Sequence, residues 1–353
     1  MSDDTGAPVP GGGGSLGWRQ FVLPVIVLVV VFGWLLPKII DYELVWESMR
    51  SLPTSAAIIL LVVATGWTFI ESGIYTSLIP GLRPFPGWKS FMGGNSIAGF
   101  APAPWDMVAR YGMYRTFGIE ATPAGSSIIV GGMFTLGIKY IAPVIALVAA
   151  AATTDVSESF VTFTIVVAIV IGLIIAIVIG LLRAESWAAY AGRLIQKGAD
   201  WLLPKIKRES DTDLEAWLLD FRLTVITSLS AGWQRPLFYV LTSHTIQFLG
   251  MLFIFRELGL GPDVIPFWDL AFTYCIGIFM SMVPIVPGGI GAVELTYVWI
   301  LARDNEALAD AVAAAAFTHR AFFWFIPIVI GIWPLTQWIR GGGSLTGMSE
   351  EAA

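Results

Sequence analysis

The chain has 353 residues, of which 56% are hydrophobic and 13% are charged, and its mean hydropathy is +0.76. Soluble domains are roughly 45–50% apolar and about 25% charged, so these values exclude an ordinary soluble protein and indicate lipid as the solvent. The net charge of −6 is less informative than the distribution of the charged residues across the membrane. The single cysteine, Cys275, excludes a disulfide framework. The two histidines have no partners at metal-ligand spacing, so neither a metal nor a cofactor is expected.

Six apolar runs are predicted to be transmembrane helices, because each is near or above the roughly 20 residues that a helix needs to cross. They are residues 21–37, 55–78, 123–152, 160–182, 236–255 and 312–338. No small-residue cleavage site follows the first run, so we interpret it as a retained helix rather than a signal peptide. Residues 18–340 are predicted to form one membrane domain between two disordered tails, 1–17 and 341–353.

Two further apolar stretches, residues 90–117 and 267–301, are interrupted by proline and followed closely by charge. Broken backbone at membrane depth is tolerated only where protein or a water-filled cavity satisfies it. We therefore predict two re-entrant helical hairpins. The predicted fold class is an all-α polytopic membrane protein with about six spanning helices plus these two hairpins.

Residues 184–234 form the one long polar segment. Five of its apolar residues fall on one helical face: Leu214, Trp217, Leu218, Phe221 and Val225. This spacing predicts a cytoplasmic amphipathic helix on the membrane surface or against the bundle, with a simple surface linker helix as the favoured interpretation.

Basic residues indicate the orientation. With both termini in the cytoplasm and each hairpin returning to its side of entry, most of the 20 lysines and arginines face the cytoplasm. Lys38, Arg50, Arg256 and Arg303 then lie outside, and Lys139 and Arg320 lie within spans. The positive-inside rule supports this topology and a multi-pass protein of the plasma membrane. The same topology places the second span, first hairpin and third span as an inverted repeat of the fifth span, second hairpin and sixth span.

The break in the second hairpin is the sharpest feature of the chain. Its residues are Pro284, Pro287, Gly288, Gly289, Gly291 and Glu294. Proline removes a backbone donor and glycine allows close approach, so a helix restarting there would direct free N–H groups at the break, which suits a phosphate. A kinked helix with a capping glutamate explains the same pattern equally well.

Charged residues elsewhere in the apolar runs are candidate headgroup contacts. The first hairpin contains Asn95, Pro102, Asp106 and Arg110. It also contains Arg115, whose alternative role is to anchor the protein at the cytoplasmic surface of the membrane. Lys139 and Arg320 lie deep in spans, where an unpaired charge costs at least about 2.5 kcal/mol, so we expect them to pair with Glu294, Asp106 or Glu71. A structural ion pair and a transport role both remain open for them. We interpret His319 as a polar packing residue.

The motifs at these positions resemble the transmembrane-region family of lysylphosphatidylglycerol synthases, the flippase-like domain of the multiple peptide resistance factor and of stand-alone membrane proteins. The resemblance covers roughly residues 20–340. The late motif consists of Pro287, Gly288, Gly289, Gly291 and Glu294, and the last one of Arg320, Phe323, Trp324, Pro327 and Gly331. The early motif is similar to Asn95, Pro102 and Arg110. The chain departs from the family pattern at Pro104, Met107, Ile138, Lys139 and Ala142.

The resemblance implies translocation or binding of an anionic phospholipid or a polyprenyl-linked headgroup. Arg110, Lys139 and Arg320 would then stabilise the headgroup, while the Pro-Gly-Gly break and Glu294 would shape or gate its path. A non-enzymatic protein is expected, because no nucleotide loop or nucleophile elbow is present. Its partner is membrane lipid rather than nucleic acid, and a homo-oligomer is compatible with the sequence. The alternatives are an accessory subunit of a lipid-linked glycosyltransferase or lipid synthase, and a transporter of small anions.

Overall fold

The structure is a computed structural model. It describes residues 42–99, 104–153, 158–202, 213–230, 232–282, 289–302 and 305–343. Several predicted features therefore lie outside the described residues. They are the tail 1–17, the first span at 21–37, Pro102, the part of the second break that holds Pro284, Pro287 and Gly288, and the tail 341–353 beyond residue 343. Throughout the described ranges the regular elements are helices, and no strand occurs.

The helices are numbered here in chain order. They are α1 (Tyr42–Arg50), α2 (Thr54–Thr76), α3 (Pro84–Ala98), α4 (Trp105–Thr116), α5 (Ala121–Thr153), α6 (Glu158–Arg183), α7 (Glu185–Leu202), α8 (Leu214–Ser230), α9 (Gln234–Glu257), α10 (Phe267–Met280), α11 (Ala292–Leu301), α12 (Glu306–Arg320) and α13 (Ile326–Arg340). A π-helical turn, Ala321–Phe325, joins α12 to α13.

Four helices of the described chain are long and apolar enough to cross a membrane, and a bent pair raises the number to five. The four are α2, α5, α9 and the continuous run Glu306–Arg340, and the bent pair is α6 with α7. The ends of α2, α5 and α9 differ by a few residues from the predicted runs. The last run begins six residues earlier than predicted. That run begins at Glu306 because Asn305 accepts a hydrogen bond from the Leu308 N–H and caps the helix.

The two stretches predicted as hairpins each contain a pair of short helices in contact. The 15-residue α3 packs against the 12-residue α4, and the 14-residue α10 packs against the 10-residue α11. At about 1.5 Å per residue none of these helices spans a hydrocarbon core of about 30 Å. Short paired helices are therefore found where hairpins were predicted, while the re-entrant path and the inverted repeat stay predictions.

The centre of the bundle is built on α2, α9 and α12. α9 packs against all of α2, α5, α10 and α12, so it contacts both halves of the chain. Small residues allow the close approach that drives helix association in lipid. Ala313, Ala314, Ala315 and Ala316 are all buried in α12, and a Cβ on Gly250 would collide with the ring of Phe323. The outer surface exposes large apolar side chains such as Val62, Ile145 and Ile169, as expected for contact with lipid.

The polar segment differs in detail from its prediction, because it contains two helices rather than one. α8 carries the predicted apolar residues, and it packs against α5 and α6 with Val225 fully buried. Leu214 and Phe221 are half-buried, whereas Trp217 is exposed. α8 thus packs on α7 as well as on α5 and α6, and its predicted apolar face is only partly covered. The preceding helix, α7, has the more exposed apolar face.

Candidate functional site

Glu294 lies in the first turn of α11, the helix that follows the second break, and both of its carboxylate oxygens accept hydrogen bonds. Oε2 accepts a hydrogen bond of 2.7 Å from the N–H of Gly291, the residue that caps α11. Oε1 accepts one of 2.9 Å from Nε of Arg320, which forms an ion pair with Glu294. The side chain of Glu294 is 1% exposed and that of Arg320 17%. The capping role and the ion pair, which the sequence offered as separate possibilities, are therefore combined in one residue.

The backbone geometry of the break explains why glycine occupies two of its positions. Gly289 and Gly291 have φ values of 66° and 85°, in the left-handed region that favours glycine. A Cβ on Gly289 would lie 2.7 Å from Cα of Ser281 and 2.9 Å from the carbonyl oxygen of Met280. Glycine at this position thus lets the start of α11 approach the end of α10 backbone to backbone.

Arg110 is buried in α4 with aromatic rings around its guanidinium. The guanidinium carbon lies 4.0 Å from the ring centroid of Tyr75 and 5.2 Å from that of Phe91. Among the described residues, its Nε and the hydroxyl of Tyr114, one turn later, have no hydrogen-bond partner. A buried donor without a partner costs about 1–3 kcal/mol, so these groups are the kind that a polar ligand would satisfy.

The other predicted residues of the first hairpin lie around Arg110. Asp106 is half-buried in the first turn of α4 and interacts electrostatically with Arg110. Asn95 is half-buried in the last turn of α3, beside Gly94. A Cβ on Gly94 would lie 3.3 Å from Arg110 Nε, so glycine lets α3 pack closely on the arginine. Arg115, in contrast, is exposed and donates to the carbonyl of Ile119, which agrees with an anchoring role.

Lys139 lies on α5, opposite Glu71 of α2. Glu71 interacts electrostatically with both Lys139 and Arg110. It also accepts a hydrogen bond from the Ser243 hydroxyl of α9, which in turn accepts one of 2.7 Å from Nε1 of Trp67. Of the three partners that the sequence allowed for the buried cations, Glu71 therefore faces Lys139 and Glu294 faces Arg320.

Lys139 also interacts electrostatically with Arg320, and these two charges repel. The charges inside the bundle thus form a series, namely Arg110, Glu71, Lys139, Arg320 and Glu294, of which Arg110 and Glu294 are buried and the other three half-buried. Glu71 interacts with the first two cations, whereas Lys139 and Arg320 interact as like charges. In a low-dielectric interior an anion that interacts with two cations is stabilised strongly, so the region of Lys139 and Arg320 favours negative charge.

The sequence profile described as "Lysylphosphatidylglycerol synthase TM region" matches residues 21–331 of the chain. The chain belongs to this family. The match confirms the resemblance drawn from the motifs around Asn95, Glu294 and Arg320, all of which lie within it. The family is the membrane region of proteins like the multiple peptide resistance factor, often their flippase part. The chain matches no curated protein.

Several residues of this family member that line the charge series were not selected from the sequence. Ser243 orients Glu71, and His244 Nδ1 lies 2.9 Å from the Tyr274 hydroxyl. A polar residue inside an apolar run was the only available signal for Ser243 and His244. His319 has the packing role that was expected, because its ring stacks on Phe323 and its Nε2 lies 3.1 Å from the carbonyl oxygen of Gln247.

Proposed function

We propose that this family member binds the headgroup of an anionic lipid between its helices and moves it from one leaflet to the other. The lipid is an anionic phospholipid or a polyprenyl-linked phosphate, and no covalent step is involved. The observation that carries the proposal is the series of buried and half-buried charges from Arg110 to Glu294. Ionisable groups within a membrane domain are costly, and they commonly mark the pathway of a polar cargo.

The phosphate of the headgroup binds to both Lys139 and Arg320. A phosphodiester carries one negative charge, which relieves the repulsion between the two cations. Arg320 offers the planar fork of donors that matches two phosphate oxygens, while Lys139 acts as a compact point charge. The acyl chains remain in the surrounding lipid, so only the polar part of the cargo enters the bundle.

Glu294 acts as the gate because it competes with the phosphate for Arg320. In the structure the guanidinium binds Glu294, and that carboxylate also holds the N–H of Gly291 at the start of α11. A headgroup that recruits Arg320 weakens this contact and releases one of the two bonds that fix Glu294. The position of α11 relative to α12 is thereby linked to occupancy of the site.

Arg110 provides a second contact further along the path. Its Nε and the Tyr114 hydroxyl are buried donors that lack partners in the described chain, and the rings of Tyr75 and Phe91 hold the guanidinium in place. A headgroup displaced from Lys139 toward the α3–α4 pair meets these donors. Glu71, which interacts with both cations, prevents the headgroup from being held too tightly at either one.

The test is a flipping assay in proteoliposomes with fluorescent phosphatidylglycerol. Arg320→Ala and Lys139→Ala should slow flipping about tenfold or more, because a hydrogen bond to a charged group contributes about 1.5–3 kcal/mol and about 1.4 kcal/mol is a factor of ten. Glu294→Gln should also change the rate, since it removes the competing charge. Arg115→Ala is the matched control, as it removes an exposed cation at the membrane edge.

Two results would contradict the proposal. Variants at Arg320, Lys139 and Glu294 that flip lipid as the parent does would show that the charge series is structural. A parent protein that folds but flips no lipid would favour the accessory-subunit alternative. Replacing phosphatidylglycerol with a fluorescent phosphatidylcholine tests the preference for a net negative charge in the same vesicles.

A further inference from the structure

The helix that follows α6 turns sharply away from it. α6 ends at Arg183, and α7 begins at Glu185 after a bend of 114° at Ala184. Backbone hydrogen bonds continue through the bend. The N–H of Ala184 donates to the carbonyl of Gly180, and the N–H of Ala188 donates to the carbonyl of Ala184. Gly180 makes the turn possible, because a Cβ there would lie 2.6 Å from the ring of Trp187.

One face of α7 is apolar and largely exposed within the described chain, although part of the Trp187 ring lies against Gly180. Trp187, Tyr190 and Leu194 are 58%, 64% and 58% exposed, and they recur at the spacing of one helical face. Lys197 borders this face, while Glu185 and Asp200 project to the opposite side by helical geometry. Two of the three face residues are aromatic with a polar tip, the type enriched at membrane interfaces.

The opposite face of α7 is packed on α8, so the helix cannot rotate to bury its apolar face. A Cβ on Gly192 would lie 2.6 Å from Cα of Glu215, which shows how closely the two helices approach. Arg193 pairs with Glu215 at 2.5 Å, and the Gln196 side chain accepts from the N–H of Leu214 at 3.0 Å. These contacts settle which side of α7 faces outward.

α8 in turn ties the bend to α6. Nε of Arg222 donates to the carbonyl of Leu182 in the last turn of α6, at 3.1 Å. A cation at a helix C-terminus satisfies a carbonyl that would otherwise lack a partner. The three helices α6, α7 and α8 are therefore held as one unit with a fixed angle between them.

We propose that α7 lies in the plane of the membrane, with Trp187, Tyr190 and Leu194 inserted at the boundary between headgroups and acyl chains. α6 is a strongly apolar helix of 26 residues with exposed apolar side chains, which suits a membrane crossing. A bend of 114° from a helix near the membrane normal leaves α7 close to the membrane plane. The lipid around α6 then also covers the apolar face of α7. The bilayer is therefore the partner of the apolar face of α7.

The experiment uses site-directed spin labels, for which the chain is convenient because Cys275 is its only cysteine. In a Cys275→Ser or Cys275→Ala background, single cysteines replace Tyr190, Leu194 and, as the matched control on the other side of α7, Glu185. The full-length protein is labelled with a nitroxide and reconstituted into phosphatidylcholine–phosphatidylglycerol vesicles. Collision of each label with oxygen, which concentrates in lipid, is compared with collision with a water-soluble nickel chelate.

We expect the ratio of oxygen to nickel collisions to be several-fold higher at positions 190 and 194 than at position 185. Equal nickel collision at all three positions would place α7 in water and overturn the proposal. Exclusion of both reagents at 190 and 194 would also overturn it, since a protein surface or a second copy of the chain would then cover the face. No outcome depends on lipid transport, so the result stands apart from the flipping assay.

Discussion

Glu294 links two helices of the membrane domain through a single side chain. Its two oxygens connect the first turn of α11 with the last turn of α12, through Gly291 N–H and Arg320 Nε. The sequence indicated a special role from the glycine-rich break and from the presence of a carboxylate in an apolar run. It could not choose Arg320 as the partner, because 26 residues separate the two and only packing brings them together.

The coupling between these two residues can be measured. Glu294→Gln and Arg320→Met should each lower the free energy of unfolding by about 3–5 kcal/mol, because each leaves a buried charge without its opposite partner. The double variant should lose less than the sum of both, with a coupling energy of about 2 kcal/mol. Unfolding in detergent, followed by tryptophan fluorescence, gives the values.

Arg193 and Glu215 supply the control cycle. Their side chains form an ion pair of 2.5 Å but are 54% and 33% exposed. Solvent screening limits such pairs to about 1 kcal/mol or less. Equal coupling energies in the two cycles would contradict the view that burial makes the Glu294–Arg320 contact strong.

Helix packing in this protein depends on glycines that face another helix. α3 and α13 meet where a Cβ on Gly331 would collide with the carbonyl oxygen of Met92 and the hydroxyl of Ser96. Ser96 also donates to the carbonyl of Ile328 at 2.5 Å, one turn earlier in α13. α13 continues the helix that carries Arg320, and α3 packs on α4, which carries Arg110. This contact therefore helps to position Arg110 and Arg320 of the charge series relative to each other.

Gly331→Ala should therefore destabilise the protein by about 1–3 kcal/mol, as overpacking against backbone cannot be relieved by a side-chain rotation. Gly137→Ala in α5 is the matched control, because no atom lies within 4 Å of the added methyl group. Its effect should stay within about 1 kcal/mol and can be favourable, since alanine is the better helix former. Thermal unfolding of both variants in the same detergent checks the prediction, and a larger loss at position 137 would refute it.

Across the whole molecule, the predicted orientation rests on the distribution of basic residues. It places the loop between α9 and α10 outside the cell and the α7–α8 pair in the cytoplasm, with an inverted repeat between the halves. The structure provides suitable positions for a test, because Asp263 in that loop and Glu185 at the start of α7 are both exposed.

Single cysteines at these positions, in the Cys275→Ser background, should react differently with a membrane-impermeant maleimide. On intact cells we expect Asp263→Cys to be labelled and Glu185→Cys to be protected until the membrane is permeabilised. The reverse pattern would invert the topology. Labelling of both positions from outside would contradict an odd number of crossings between them.

Composition and periodicity were sufficient to identify lipid as the solvent of this protein and to give the bounds of α2, α5 and α9 within a few residues. The motifs around Asn95, Glu294 and Arg320 were sufficient to indicate its family. Each of these depends on the local properties of a run of residues, so no knowledge of the packing was required. The same holds for the identity of the buried charges, because a lysine or arginine within about 20 apolar residues must be inside the bundle.

The pairing of those charges depended on the packing of helices that are distant in the chain. Lys139 could have faced Asp106 or Glu294 on sequence grounds, but the packing of α5 against α2 sets it opposite Glu71. Likewise, the predicted apolar face of α8 is only partly covered, and α7 carries the more exposed face. Periodicity reports that a helix has an apolar face, whereas the neighbours that cover it are determined by the arrangement of the whole bundle.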